Sequence, residues 1–238
     1  MTWPVTKSLG GAPKHMLYIV ATPIGNLEDL TLRAINALSN ADLILCEDTR
    51  VTVKLLEKYN IKKPLFSYHQ HSGEYKIRKV IDFLKEGKVL ALVTDAGTPG
   101  INDPGNFLIQ EILKELPEEK IVPLPGPNAA VTALSVSGFH SDRFVFLGFP
   151  PHKKGRQTFF RELGQIEETI VFYESKYRID KMLKELRDVS KIGLRSLVIC
   201  RELTKQFETI YRGTIETLAD RFKGKDLLGE FVIVISVK

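Results

Sequence analysis

Two cysteines and one tryptophan in 238 residues remove several common solutions at once. Cys46 and Cys200 stand far apart, each in or beside an apolar strand-like run, so neither a disulfide framework nor a CxxC-type zinc site fits, and both read as buried structural thiols. No apolar run approaches the roughly 18 to 20 residues that a membrane span needs. The N-terminus lacks the apolar stretch of a secretory signal, so the expectation is a cytoplasmic chain with no membrane contact. Gly-x-Gly-x-x-Gly and Gly-Lys-Ser/Thr are both missing, which excludes the standard dinucleotide fingerprint and the phosphate-cradling Walker loop. There is no internal repeat and no low-complexity tract. Apolar residues, by contrast, are plentiful at 43%, enough to bury a sizeable core in one large domain or two small ones.

Residues 1–15 stand apart. They hold Gly10-Gly-Ala-Pro13 and no amphipathic period, and His15-Met16 leads straight into Leu17-Tyr-Ile-Val-Ala21. They read either as a leader ahead of a native start at Met16 or as a natural disordered arm.

After Met16, strand and helix patterns alternate. Strand-like runs at 17–21, 42–46, 64–68, 88–94 and 120–124 are separated by helical patterns near 31–40, 50–59, 74–86 and 106–116. Ile77, Val80, Ile81 and Leu84 fall on one stripe, the spacing of a surface helix lying on a sheet. Such alternation predicts βαβ units and a mostly parallel sheet. Beyond a helix at 128–137 the order changes, with strands at 143–148, 168–174, 196–202, 207–213 and 229–237 and helices at 155–163, 176–188 and 214–222. The runs 196–202 and 207–213 are close enough to pair as an antiparallel hairpin, which makes the second sheet mixed. The fold class is therefore α/β. It divides into an N-terminal domain at 16–124, with a mostly parallel sheet, and a C-terminal domain at 125–238, with a mixed one.

The chemistry gathers after the strands. Asp95-Ala-Gly-Thr-Pro-Gly-Ile-Asn-Asp-Pro-Gly105 is longer than a short strand-to-helix connection requires. Its glycines permit close backbone approach and its prolines hold the loop still, which suits a binding loop at a strand's carboxyl end. Pro123-Leu-Pro-Gly-Pro-Asn128 is a second loop of the same kind. Asp95 and Asp103 serve either as ligand contacts or as Asx turns. In Thr22-Pro-Ile-Gly-Asn-Leu27 a strand meets a turn, with Asp29 or Thr31 able to cap the next helix. Cys46-Glu-Asp-Thr-Arg50 is either a helix cap with a surface ion pair or a polar strand-end site. Phe172-Tyr-Glu-Ser175 and Arg201-Glu-Leu-Thr-Lys205 repeat the arrangement in the second half.

Charge is unevenly spread. From Pro150 to Lys205 there are 13 Lys and Arg against 8 Asp and Glu, while the rest of the chain balances at 21 and 21. Lys153, Lys154, Arg156 and Arg161 open this segment, and Lys176, Arg178, Lys181 and Lys184 follow. It is either a solvated face or a surface that meets phosphates.

These motifs, in this order, resemble the bacterial 16S ribosomal RNA cytidine 2′-O-ribose methyltransferases of the tetrapyrrole-methylase superfamily. The resemblance spans 17–238 and rests on Thr22–Leu27, Glu47–Arg50, Asp95–Pro99 with Asp103–Gly105, Pro125–Pro127, Phe172–Ser175 and Arg201–Lys205. Gly138-Phe-His140 departs from the family's Gly-Leu-Pro in a connecting turn. The resemblance implies S-adenosylmethionine as cofactor in a cleft between two α/β domains, a homodimer, and 16S ribosomal RNA of the small subunit as partner. No metal is implied. Carried over by position, cofactor contacts fall on Pro23, Asp95, Ala96, Gly97, Asp103, Pro125, Gly126 and Gly229. Substrate-side contacts fall on Glu47, Asp48, Arg50, Tyr173, Ser175 and Thr204, with Lys153, Lys154, Arg156 and Arg178 added from the basic segment.

Methyl transfer to a ribose hydroxyl places particular demands on a protein. A sulfonium already carries a good leaving group, so orientation and desolvation supply much of the rate. The hydroxyl must shed its proton, for which Glu202, Lys205 or Glu174 is a candidate acceptor or orienting group, with Asp48 behind them. Two other readings share some of these features. A tetrapyrrole methylase has the same fold and cofactor but no need of the basic segment, and a non-enzymatic RNA-binding assembly module leaves the Pro/Gly loops without a use.

Overall fold

The computed structural model describes residues 15–69, 72–189, 192–222 and 224–237. The expectation for the leader lies outside them except at His15. Among the described residues no helix is long and apolar enough to cross a membrane. The described residues form two compact units, one of His15–Pro23 together with those in Leu27–Pro127, the other of Ile24–Asn26 and those from Asn128 onward.

In the first unit, β1 (Met16–Val20), β2 (Leu43–Cys46), β3 (Leu65–Ser67), β4 (Val89–Leu92) and β5 (Ile121–Leu124) form a five-stranded sheet in the order β3-β2-β4-β1-β5. Every pair in it is parallel. Side chains alternate between faces with period two, so each strand feeds two cores. Val20, Ile44, Cys46, Ala91 and Val93 go to one face, and Leu17, Ile19, Leu45, Leu90 and Leu92 to the other. Helices α1 (Leu32–Asn40) and α2 (Thr49–Lys58) cover the first face through Ala34, Leu38, Leu55 and Leu56. Helices α3 (Glu74–Lys85) and α4 (Gly105–Glu115) cover the second, and the expected stripe of Ile77, Val80, Ile81 and Leu84 is buried there. Pro123 lies in the edge strand β5, where a missing N–H removes no inner ladder bond. Of the two caps open to α1, Thr31 is used, its hydroxyl accepting from Ala34 N at 3.1 Å.

In the second unit, β6 (Phe144–Phe146), β7 (Thr169–Ser175), β8 (Leu197–Arg201), β9 (Thr209–Gly213) and β10 (Glu230–Ile235) are ordered β6-β7-β10-β8-β9. Only β6 and β7 are parallel. The expected hairpin is β8 with β9, Ile199 opposite Tyr211. One face packs on α6 (Arg156–Leu163), α7 (Ile179–Arg187) and α8 (Ile215–Arg221) through Phe172, Ile199, Phe231 and Ile233, and the other on α5 (Ala129–Ser137) through Val171, Val198, Cys200 and Val232. Each fully buried aliphatic side chain in these layers stabilises the fold by about 1.5–3 kcal/mol. Asn128 caps α5 by accepting from Ala130 N and Val131 N, and Gly138 ends it with φ 75, a left-handed closure that glycine adopts without strain. Both cysteines are buried and free, as expected.

The division falls at Pro127 rather than at residue 124. The Thr98 hydroxyl donates to Pro127 O at 3.0 Å, and Gly126 lies so close to Ala21 that a Cβ on it would meet the alanine Cβ at 2.9 Å. Those contacts keep Pro125–Pro127 with the first unit. Ile24 packs instead with the α5 face of the second.

Candidate functional site

In a parallel sheet all strands end at the same edge, so the loops after β1, β2, β4 and β5 share one end of the first unit. The chain leaves β1 and β2 toward helices on one face and leaves β4 toward a helix on the other. Such a divergence is where an open α/β sheet forms a ligand crevice. Around it lie Pro23, Glu47, Asp48, Asp95, Ala96, Gly97, Asp103, Pro125 and Gly126.

Hydrogen bonds fix these loops to one another. Thr22 and Gly97 exchange backbone bonds at 2.8 and 3.1 Å, and the Thr22 hydroxyl donates to Thr94 O at 3.0 Å. The Thr94 hydroxyl donates to Glu47 Oε1 at 2.9 Å, and Asp48 N donates to Asp95 Oδ1 at 3.1 Å. Thr22 and Thr94 hold the crevice together but carry no charge to advertise it. Their signal in the sequence is only their place beside Pro23 and Asp95.

Several groups here keep bonding capacity. Asp95, Ala96, Pro125 and Gly126 are exposed. Among the described residues the amides of Ala96 and Gly126 meet no protein acceptor. Asp103 answers both readings made of it. Its Oδ1 closes the turn by accepting from Gly100 N and Gly105 N, each at 2.7 Å, while its buried Oδ2 has no partner. Burial raises the Glu47 carboxyl above its usual value against the Thr94 bond, with Asp103 and Asp95 adding to the rise. Asp95 is likewise raised, chiefly by burial. Asp48 is the exception, because its Arg50 partner and the Arg50 N–H hold it down at about 2. It caps α2, and Arg50 points outward, so the helix-cap reading of that motif is realised.

The remaining candidates lie in the second unit, at the end of its sheet where β7 and β8 finish and β10 begins. Ser175 is opposite Glu230, and Phe231 separates Glu174 from Arg201. Glu202 and Thr204 form a tight turn with φ of 51 and 66, left-handed values that cost a non-glycine residue about 1–3 kcal/mol each. Thr204 Oγ1 is buried without a partner beside Gly25, where a Cβ would come within 2.7 Å of it. Glu202 accepts from Glu230 N at 2.8 Å and from Lys205 Nζ at 3.1 Å, and Lys205 also reaches Glu230 Oε2 at 2.8 Å. Gly229, with φ 117, is explained here too, since a Cβ would strike Glu202 Cγ at 2.7 Å.

These contacts decide protonation. Burial pushes Glu202 up, but the Glu230 N–H and the Lys205 ammonium outweigh it and hold the carboxyl below its ordinary value. Burial pushes Lys205 down, yet the Glu230 and Glu202 carboxylates leave it raised and protonated. A lysine in that state has no lone pair with which to accept a proton.

Glu174 and Arg156 turn out to be internal. Glu174 is 1% and Arg156 2% exposed, joined at 2.9 Å. Glu174 also accepts from Arg178 Nε at 2.8 Å and Ser175 N at 2.8 Å, and Arg156 is shared with Glu185 at 2.8 Å. Buried charges persist only when paired this way. Glu174 is therefore closed to solvent and held by two arginines and a backbone amide, and Arg156 offers no exposed cation. Glu185 was missed in the sequence because an exposed-looking i,i+4 partner of Lys181 on α7 carries no mark of a second, buried role. Tyr173 is half-buried, packed edge-on to Phe146 at 5.0 Å and tilted on Phe149 at 5.2 Å. Lys153 and Lys154 are exposed at the start of α6.

The sequence profile of the tetrapyrrole (corrin/porphyrin) methylases matches residues 16–219. The Thermotoga maritima protein named ribosomal RNA small subunit methyltransferase I is 45% identical over 223 residues, covering 93% of this chain and 98% of that one. Its Bacillus subtilis namesake is 43% identical, covering 95% and 76%. A Thermus thermophilus uroporphyrin-III C-methyl transferase, solved complexed with S-adenyl homocysteine, superposes with a TM-score of 0.64 at 17% identity, covering 92% and 96%.

Proposed function

The chain belongs to the tetrapyrrole (corrin/porphyrin) methylase family, and on that premise we propose that it is an S-adenosylmethionine-dependent methyltransferase acting on 16S ribosomal RNA of the small subunit. The observation that carries this reading is 45% identity to the Thermotoga ribosomal RNA methyltransferase along 93% of the chain. A likeness to the uroporphyrin enzyme at 17% speaks for the fold alone, so the tetrapyrrole alternative is not favoured. A purely RNA-binding module leaves the strand-end crevice unexplained. The finer parts of the reading are a cytidine ribose 2′-hydroxyl as the methyl acceptor, a homodimer, and a cytoplasmic location.

The crevice of the first unit suits the cofactor. S-adenosylmethionine carries an ammonium, a carboxylate, a ribose diol and an adenine edge, which call for acceptors and donors side by side. Asp95 and the orphaned Asp103 Oδ2 are the acceptors, and the unpaired amides of Ala96 and Gly126 the donors. When bound, the cofactor supplies a methyl group on a sulfonium, activated for in-line displacement. Glu47, raised by burial, sits one hydroxyl away from this set through Thr94.

The acceptor hydroxyl is a weak nucleophile until its proton is withdrawn. Of the three candidate groups, Glu174 is consumed by its two arginines and Lys205 is protonated. Glu202 is left as an ionised carboxylate whose Oε1 is engaged, so its Oε2 is the atom assigned to take the proton. Lys205 acts as a positioning residue, holding that carboxylate in place.

Transfer of labelled methyl groups to unmodified small ribosomal subunits, with tetrapyrroles as competing acceptors, tests the proposal. Label in ribosomal RNA, released by nuclease as a 2′-O-methylcytidine, is the expected result. Label in the tetrapyrrole, or none despite cofactor binding by calorimetry, overturns it.

A further inference from the structure

Around the N-terminus of α6 the second unit carries a groove of about 890 Å³, walled by Lys153, Lys154, Gln157, Arg161, Gln165 and Lys181. Its floor is the buried Arg156, fixed by Glu174 and Glu185 and stacked 4.9 Å from the Phe160 ring. The anions of the groove are nearly spent. Glu185 is taken by Arg156 and Lys181, which leaves Asp188 as the remaining carboxylate on the wall. Among the described residues Lys153, Lys154 and Arg161 form no ion pair, and all three are exposed. Gly155, with φ 86, begins α6 without a capping side chain, so the first-turn amides of Gln157 and Thr158 add donors on the same wall.

We propose that this groove is the docking surface for the phosphate backbone of the RNA substrate, with Lys153, Lys154 and Arg161 as the phosphate contacts. It rests on the reading of the chain as a ribosomal RNA methyltransferase. A small-molecule site is mostly apolar and enclosed, with a few convergent polar groups. Here the wall is cationic and polar, and Phe160 is buried beneath it. Unpaired cations held over an ordered floor are what a polyanion requires, since neutralising phosphates releases their counterions. The pairing also sorts the basic segment. Arg156 and Arg178 are held by the buried Glu174 and serve structure, while Lys181 and Lys184 sit in exposed i,i+4 pairs, so the excess charge is not spread evenly along 153–184.

The test uses the full chain in a triple variant, Lys153→Glu, Lys154→Glu and Arg161→Glu. A control triple carries Lys54→Glu, Lys58→Glu and Lys62→Glu, an equal charge change on exposed residues of the first unit. Naked 16S ribosomal RNA and intact small subunits are titrated across a range of salt. The groove triple is expected to bind RNA at least about tenfold more weakly near physiological salt, and to lower the slope of log affinity against log salt by about 2 to 3. KM for subunits should rise while kcat and cofactor affinity stay unchanged, and Lys153→Arg, Lys154→Arg with Arg161→Lys should keep wild-type binding. The proposal fails if both triples weaken RNA binding equally. It also fails if the groove triple binds naked RNA normally but loses intact subunits, because the groove then meets a protein. Wild-type protein that transfers no methyl to subunits sinks the functional reading instead, and the RNA titration still decides the groove.

Discussion

The two sheets treat polar groups at their strand ends in opposite ways. In the first unit, the ends of β1, β2, β4 and β5 present the exposed Asp95 carboxylate and the free amides of Ala96 and Gly126, with Asp103 Oδ2 left unsatisfied. In the second, the ends of β7 and β8 present charges that satisfy one another: Glu174 with two arginines, and Glu202 with Lys205 and the Glu230 amide. A parallel sheet brings the loops after all its strands to one edge and spreads them over two faces, which opens a crevice. The antiparallel strand β10 instead runs between β7 and β8, and its Glu230 is close enough to complete the Glu202 cluster. One arrangement leaves vacant bonding capacity and so can bind. The other consumes most of it and so can hold a shape, with Thr204 Oγ1 and Glu202 Oε2 left outside its pairs.

The largest expected break of this contrast is Glu174→Ala. With that carboxylate gone, the buried Arg156 guanidinium keeps Glu185 and the Pro151 carbonyl, and the unit should lose about 3–5 kcal/mol in denaturant unfolding. Arg156→Met added to it should restore part of the loss. A fall below about 1 kcal/mol would mean that the pair holds nothing together.

Next comes Glu202→Gln, expected to lower kcat by about 10²–10⁴-fold while the unfolding midpoint moves little. The sign of the pH dependence separates the bases. A Glu202 held below its ordinary value stays ionised through neutrality, so the wild-type rate should be flat from about pH 6 to about pH 9. Were Lys205 the base, its raised value would make the rate climb with pH over that whole range. A rising profile would therefore reject Glu202.

In the open crevice, Asp95→Asn should weaken S-adenosylmethionine binding by about tenfold or somewhat more, the size of a hydrogen bond to a charged group. Thermal unfolding should stay put, because Asp95 is exposed and receives only the Asp48 amide. Equal calorimetric affinity for the two proteins would remove it from the site. Smallest is Asn128→Ala, which deletes the α5 cap and should cost about 1 kcal/mol of stability without touching cofactor affinity.

Much of this was legible before folding. The helix stripe from Ile77 to Leu84, the parallel first sheet and the β8–β9 hairpin follow from periodicity and spacing, because side-chain period and connection length are local quantities. The strand-end loops were legible as loops, through glycine and proline. Their partners were not. Asp48, Asp95 and Asp103 are the same chemistry on paper, yet one is a helix cap, one receives the Asp48 amide, and one both closes a turn and keeps a free oxygen. Arg156 and Lys153 read alike in a basic run, three residues apart. One is the buried floor of a groove and the other its exposed wall.

By itself, then, the sequence determined the order and kind of the elements, the loops that follow them and the family they spell. Only the tertiary structure decided which charges are free. A charge reaches a ligand only if no nearer partner has claimed it, and the claims on Glu174, Arg156 and Lys205 include ones from residues 18, 29 and 25 positions away. Spacing along the chain carries no record of such meetings.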